Sequence, residues 1–394
     1  MLLLFIGIAA VIYNFATRAT EDIKKGNTTA AALANARDAL IGYAAGNASQ
    51  PGVLPCPDSD NDGSADSPCG ALGVTAIGRL PWKTLGLESL RDGSAECLWY
   101  GVSANFKNSG LSGPAVVNSD SAGTLGVYDN NGTVIHAAST VAAIIFAPGE
   151  GFSAQNRAPA GSTTCGGNND AAAYLDSYTV GATTYNNATG SGTNSFIAAP
   201  ADQTSQFNDK LLPLTTTALL SVVEMRVLRE LRTALRTYRM NNGYFPGANP
   251  YGASYNCGYT TWQGRPPLNI TVTCSAWANW GAELPAWFGT NNWQTVIYYA
   301  VSPCRVGGVP LIPIIQNAIN NLCTLFGDLT VAGTWPVDAV VFTAGQSIAA
   351  LGQARPCANV SACLDDGENR NGDSIFVQPV ASTTNNDRVL IVWP

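Results

Sequence analysis

The sequence predicts an α+β fold: a long N-terminal helix followed by two tandem heads, each a helix plus an antiparallel sheet, rich in disulfides. Three observations carry this expectation. Residues 1–16 (MLLLFIGIAAVIYNFA) are an apolar run interrupted only by Asn14. There are ten cysteines, an even number, with no C-x-x-C pair among them. The second half of the chain echoes short segments of the first half in the same order.

The apolar run opens the chain without a basic leader, and the first charge is Arg18. A secretory signal peptide has a charged n-region and a small-residue cleavage site, so the run reads instead as an assembly handle at a mature N-terminus. A truncated signal peptide or a simple membrane anchor is the plainer alternative. As a helix the run is about 24 Å long at ~1.5 Å per residue, against a hydrocarbon core of about 30 Å. It is a marginal span that becomes adequate where the bilayer thins or where helices pack together. Met1, Leu2, Leu3, Leu4, Phe5, Ile6, Ile8, Val11 and Ile12 are the residues expected to make that packing. The polar stretch 17–25 (TRATEDIKK) is compatible with helix. Gly26-Asn27-Thr28-Thr29 predicts a softened point followed by candidate caps. The helical pattern resumes over 30–45, with Leu33, Ala36, Leu40, Ile41 and Ala44 on one face. Residues 1–50 are therefore one element, apolar first and amphipathic after.

Residues 51–213 form the first predicted head. Pro51-Gly52, Pro55, Pro57 and Pro68 exclude a long helix there. Segments 98–102 (LWYGV) and 141–146 (VAAIIF) read as buried strands, 196–198 and 210–212 as edge strands, and 186–194 as a polar surface loop. Residues 214–242 form a second long helix, with Leu219, Leu220, Val223, Val227, Leu231, Ala234, Leu235 and Tyr238 at helical spacing. Its Arg226, Arg229, Arg232, Arg236 and Arg239 alternate with Glu224 and Glu230, which predicts a solvated face. Residues 243–394 form the second head.

The echo supports a duplication. Residues 39–43 match 234–238, Leu54-Pro55 matches Phe245-Pro246, and Leu80-Pro81-Trp82 matches Leu284-Pro285-Ala286-Trp287. LWYGVS at 98–103 matches IYYAVS at 297–302, and AIIF at 143–146 matches AVVF at 339–342. Gln155-Asn156-Arg157 matches Gln353-Ala354-Arg355, and Asn208-Asp209 matches Asn386-Asp387.

Only 12% of the 394 residues are charged, about half the usual share, and 40 are glycine. The net charge of −7 argues against a nucleic-acid partner. A 46% hydrophobic share with nine tryptophans is enough to bury a large core. The cysteines fit a disulfide framework in an oxidising compartment better than a zinc site. Sequence-near pairings are Cys56–Cys69, Cys257–Cys274, Cys304–Cys323 and Cys357–Cys363, which leaves Cys97 with Cys165.

Two acidic loops are candidate calcium sites. Asp58, Asp60, Asp62, Ser64 and Asp66 alternate around Gly63, the pattern that lets hard oxygen ligands converge on one cation. The glutamate that closes the usual calcium loop is replaced by Cys69. Asp366, Glu368, Asn369, Asn371 and Asp373 form a second, less regular set. No other cofactor is expected. The run 149–154 (GEGFSA) imitates a dinucleotide fingerprint, but its counterpart at Gly345-Gln346-Ser347 loses it. With His136 as the only histidine and no nucleophile motif, no enzyme is expected. Trp262, Trp277, Trp280, Trp287, Trp293, Tyr298, Tyr299 and Trp335 concentrate aromatics in the second half, as core or as an adhesive surface.

The apolar helix, its amphipathic continuation and the disulfide-bearing β head resemble type IV pilins and the pseudopilins of type II secretion. The segments ALIGYAAGNASQPGVLPCPDSDNDGSAD (39–66), GRLPWKTLGL (78–87) and LWYGVS (98–103) are similar to a subgroup of large prepilin-like proteins of Gram-negative bacteria. The resemblance implies an extracellular filament with the handle in its core, packed against copies of itself or other pilins, and anchorage in the inner membrane before assembly. Phe5 stands where such pilins usually carry a glutamate that pairs with a neighbour's N-terminal amine. That departure fits a minor or tip subunit acting as an adhesin or binder of secretion substrates, the alternative to a major structural subunit.

Overall fold

A computed structural model describes residues 2–71, 73–107, 115–158, 165–251, 261–268, 284–303, 305–306 and 328–393; the side chains of residues 2–16 and of Trp335 lie outside the description. The chain divides into two compact units. The first comprises 1–46, 53–115 and 122–219, the second 47–52, 116–121 and 220–394.

The first unit begins with helix α1, Leu2–Gly46, 45 residues long and about 68 Å from end to end. It passes through Gly26 without interruption. The Thr28 and Thr29 hydroxyls donate to the Lys24 and Lys25 carbonyls at 3.0 Å, so the expected caps bond back into the same helix. Residues Arg18 to Lys25 are exposed on every side of α1. From Thr29 onward the helix acquires a buried stripe, Thr29, Ala32, Leu33, Ala36, Leu40 and Ala44, at the three-to-four spacing of one face.

That stripe packs beside a four-stranded antiparallel sheet. Its strands are β1 (Ala76–Arg79), β2 (Trp99–Val102), β5 (Val141–Ala147) and β9 (Lys210–Thr215), in the order β1-β2-β5-β9. All seven residues of β5 are buried. Helix α1 touches β5 and β9, while Ile144 and Phe146 join Trp99, Val127, Tyr174 and Phe196 in one core. Covered on both faces, β5 reads as a continuous apolar run rather than an alternating one. A second sheet has β3 (Gly126–Asp129) between β4 (Val134–His136) and β8 (Ser195–Ala198), with β3 and β8 parallel. Strands β6 (Ser177–Val180) and β7 (Thr183–Asn186) make a hairpin.

The second unit is built on α2 (Thr216–Asn242), with a five-residue helix α3 (Ala286–Thr290). Its four-stranded sheet is β10 (Gln263–Gly264), β11 (Ile297–Val301), β14 (Ala339–Thr343) and β16 (Arg388–Trp393), again antiparallel and in that order. Val223, Val227, Leu231 and Leu235 of α2 pack on Ile297, Tyr299, Val341 and Val392. A second sheet has β12 (Leu329–Val331) between β13 (Thr334–Val337) and β15 (Ile375–Phe376), with β12 and β15 parallel.

The matched segments occupy matched places. Strands β2 and β11 each sit second in their sheet, and Tyr100 and Tyr299 each donate a hydroxyl hydrogen bond to a proline carbonyl, Pro55 at 3.2 Å and Pro246 at 2.8 Å. Bridges Leu54–Lys107 and Phe245–Val306 are both parallel, and bridges Asp58–Arg79 and Asn249–Arg265 are both antiparallel.

The expected fold class is corrected. Among the described residues there are three α-helices against sixteen strands in five sheets, a mostly β architecture. The sheets are not purely antiparallel, since each unit adds a parallel pair to its second sheet. Among the described residues no helix is long and apolar enough to cross a membrane. The arginines of α2 are also not simply solvated. Arg226 donates to the Asn47 carbonyl at 2.6 Å, Arg236 donates to the Val392 carbonyl at 2.6 Å, and Arg239 pairs with Asp338 at 2.9 Å.

Candidate functional site

The first acidic loop is held from below. Asp58, 1% exposed, exchanges two backbone hydrogen bonds with Arg79 of β1, at 2.9 and 3.0 Å. Its Oδ1 accepts the Asn61 N–H at 2.6 Å and its Oδ2 the Gly63 N–H at 2.8 Å. The chain therefore wraps around the Asp58 carboxylate, with Asn61 and Gly63 at φ 64° and 92°. Asp66 closes the loop by accepting the N–H and hydroxyl of Ser59 at 2.6 and 2.7 Å. The disulfide Cys56–Cys69 brackets it. Lys83 Nζ donates to the Asp62 carbonyl, and Lys83 N to the Gly63 carbonyl at 2.8 Å.

Asp58, Asp60 and Asp66 are brought together, with one carboxylate oxygen from each lying within 4.8 Å of the others. Asp62 is not part of that carboxylate group; its Oδ1 accepts the Ser64 N–H at 2.6 Å. Burial pushes the Asp58 carboxyl up, and the nearby Asp60 and Asp66 add to this, while its hydrogen bonds from Gly63 and Asn61 oppose it. Asp62 is held below its usual range by hydrogen bonds from Ser64. Three oxygen-donor carboxylates crowded on a preformed loop suit a hard divalent cation such as calcium.

The second acidic loop has no such cluster among the described residues. Asp366 accepts the Glu368 N–H at 2.9 Å, Asn371 accepts the Asp373 N–H at 2.9 Å, and Asp373 accepts the Ile375 N–H at 2.8 Å. Asn369 is buried, its amide exchanging hydrogen bonds with Val377 at 3.2 and 2.8 Å. These side chains shape the turn that leads into β15.

Sequence reasoning missed a buried network that occurs once in each unit. In the first, the Asp176 N–H donates to Asp209 Oδ2 at 2.7 Å, Gln155 Nε2 donates to Asp176 Oδ1 at 2.8 Å, and the Asn208 N–H donates to Asp176 Oδ2 at 2.8 Å. In the second, Asp365 N–H to Asp387 Oδ2 is 2.7 Å, Gln353 Nε2 to Asp365 Oδ1 is 2.6 Å, and Asn386 N–H to Asp365 Oδ2 is 2.6 Å. Asn187 and Asn369 are also counterparts, each exchanging hydrogen bonds with a backbone further along the chain, Ile197 in β8 or Val377 just after β15. Burial, then the neighbouring carboxylate, raises the Asp209 carboxyl well above its ordinary range and pushes Asp387 up to about 8. The Gln155/Gln353 and Asn208-Asp209/Asn386-Asp387 matches were the signal for this network.

Three expected disulfides are formed: Cys56–Cys69, Cys97–Cys165 and Cys357–Cys363. Cys257–Cys274 and Cys304–Cys323 lie outside the described residues, as does Met1. Of the assembly residues, Leu2, Leu3, Leu4, Phe5, Ile6, Ile8, Val11 and Ile12 fall on the α1 backbone, with side chains outside the description. Residues 149–154 form turns after β5 and open no helix. His136 sits on edge strand β4, across from Val127. Trp287, Trp293, Tyr298 and Tyr299 are core residues of the second unit, whereas Trp277 and Trp280 lie outside the described residues.

No protein-family model, curated protein or solved structure matches the chain.

Proposed function

We propose that this protein is a structural subunit of an extracellular filament similar to type IV pili, in which copies associate through the N-terminal half of α1. The carrying observation is the contrast along that helix. Arg18 to Lys25 are exposed on all sides, while Thr29 onward packs against a sheet. A helical stretch that packs no face on its own head is marginal in water by itself, because most helical stability in proteins comes from packing an apolar face. The adjoining segment LLLFIGIAAVIYNFA is apolar and gains free energy by packing with like helices. The disulfides Cys56–Cys69, Cys97–Cys165 and Cys357–Cys363 suit an oxidising location outside the cytoplasm.

In this reading Asp58, Asp60 and Asp66 hold a calcium ion that neutralises the crowded carboxylates and stiffens the loop between Cys56 and Cys69. The buried positions of Trp287, Trp293, Tyr298 and Tyr299 give no support to an aromatic adhesive face made by these residues. The reading is tested by shearing appendages from the native cell and labelling them with antibody to the second unit. Regular labelling along filaments is the expected result. Label confined to one end of each filament would make the protein a tip component, and unlabelled filaments would remove the proposal.

A further inference from the structure

We propose that Asp209 in the first unit and Asp387 in the second each keep a proton on Oδ1 at neutral pH, and that losing it as pH rises opens the junction each one holds shut. The two buried networks share one hydrogen-bond pattern over four carboxylate oxygens. Asp176 receives Gln155 Nε2 on Oδ1 and the Asn208 N–H on Oδ2, both at 2.8 Å; Asp365 receives Gln353 Nε2 and the Asn386 N–H in the same places, both at 2.6 Å. Asp209 and Asp387 receive the Asp176 and Asp365 N–H on Oδ2, each at 2.7 Å. The fourth oxygen, Oδ1 of Asp209 and again Oδ1 of Asp387, is buried and accepts nothing among the described residues. The two residues are only 2% and 4% exposed. An anionic oxygen buried without a donor is far more costly than a neutral carboxylic acid.

The groups that face each acid do not supply that donor. Asp209 faces Asp176 and Arg157, and Asp387 faces Asp365, Arg355 and Tyr251. Arg157 donates to Glu96, Gln155 and the Gly149 and Ala173 carbonyls, and Arg355 to the Ala344, Gly345 and Ala362 carbonyls. The next residues along the chain are engaged elsewhere: Lys210 is exposed, and Arg388 pairs with Glu224 at 3.0 Å. Burial, then the neighbouring carboxylate, raises both acids, in the same sense as the geometry. The glutamines fix which member of each pair is charged. Gln155 Oε1 accepts the Phe152 N–H at 3.0 Å and Gln353 Oε1 the Ile348 N–H at 2.8 Å. Neither amide can turn over without breaking that bond, so both oxygens of Asp176 and Asp365 stay acceptors. Asp209 and Asp387 each stand one residue before the last strand of their sheet, β9 or β16, so ionisation loosens the start of that strand.

The test uses the full chain. The amide of Asp387→Asn puts an N–H where the acid has its O–H, so at pH 6 this variant is expected to melt with the wild type. Asp365→Asn turns an amide N–H toward a donor and is expected to melt lower at every pH. The carboxyl carbon of Asp387 in carbon-13-labelled wild type, assigned by its loss in Asp387→Asn, is expected to keep its acid-form shift at pH 6 and to move to the carboxylate form near pH 8. Hydrogen exchange over residues 384–390 is expected to be equal in wild type and Asp387→Asn at pH 6, and about tenfold faster in wild type at pH 9. Asp209→Asn beside Asp176→Asn repeats the comparison in the first unit. Three results would each overturn the inference: an Asp387 carboxyl already ionised at pH 6, an Asp387→Asn chain that melts as low as Asp365→Asn or does not fold at pH 6, and exchange at pH 9 as fast in Asp387→Asn as in wild type.

Discussion

At Gly63 the backbone takes φ 92°, and an added Cβ would lie 2.5 Å from the Trp82 indole. Gly63→Ala combines left-handed strain with that collision. It is expected to destabilise the first unit by about 1–3 kcal/mol in denaturant melts. Asp58 is the other fixed point of the loop. Calcium at excess over its dissociation constant raises stability by mass action, so the wild-type melting temperature is expected to rise with added calcium and fall with chelator. Asp58→Asn is expected to lose that response. At the buried pairs the sign of the pH effect follows from the raised carboxyls. An acid whose folded pKa exceeds its unfolded value stabilises the fold fully below the unfolded value, and that contribution fades as pH climbs to the folded one. With Asp387 pushed up to about 8 and Glu224 to about 7, both mainly by burial, the melting temperature is expected to fall from pH 5 to pH 8. Asp387→Asn is expected to flatten that slope. The acidic loop was legible because its alternation is local. The Asp209 and Asp387 pairs were not, since each depends on a partner 33 or 22 positions away that only the closed sheet brings near.

The elements were legible in proportion to how local their signals are. Residues 98–102 and 141–146 became β2 and β5 nearly as read, and the second helix, read as 214–242, starts two residues before α2 and ends with it. Gly26-Asn27-Thr28-Thr29 misled because threonines that cap a helix start equally bond back within a continuing helix. What fastens α1 to its head lies at the same place. The Gly93 N–H donates to Thr29 Oγ1 at 2.9 Å, and a Cβ on Gly93 would lie 2.2 Å from the Lys25 carbonyl oxygen, so that loop must come this close to the helix. Thr29→Val keeps the shape and removes the acceptor, leaving a half-buried N–H unsatisfied at a cost of about 1–3 kcal/mol. Hydrogen exchange in residues 26–36 is expected to speed up in that variant, while exchange in β11 and β14 stays unchanged.

At the scale of the whole chain, the repeat was readable because matched segments keep both order and chemistry: Tyr100 and Tyr299 reach corresponding proline carbonyls, Pro55 and Pro246, and Gln155 and Gln353 brace corresponding aspartates, Asp176 and Asp365. The parallel pairs β3–β8 and β12–β15 were not readable. They join short strands more than forty residues apart, and no turn chemistry marks a crossover of that length. Among the described residues the acidic loop has no counterpart in the second unit, where Asn249 takes the bridge position of Asp58. The two units thus share a scaffold, while the first carries both the acidic loop and helix α1. The central claim is that this helix joins copies of the chain. Its most direct test is sedimentation, after detergent removal, of the full chain beside a version that begins at Thr28 and so keeps the packed stripe from Thr29 onward. The account predicts polymers for the full chain and monomers for the shortened one; full chain that remains monomeric, or shortened chain that polymerises equally, would contradict it.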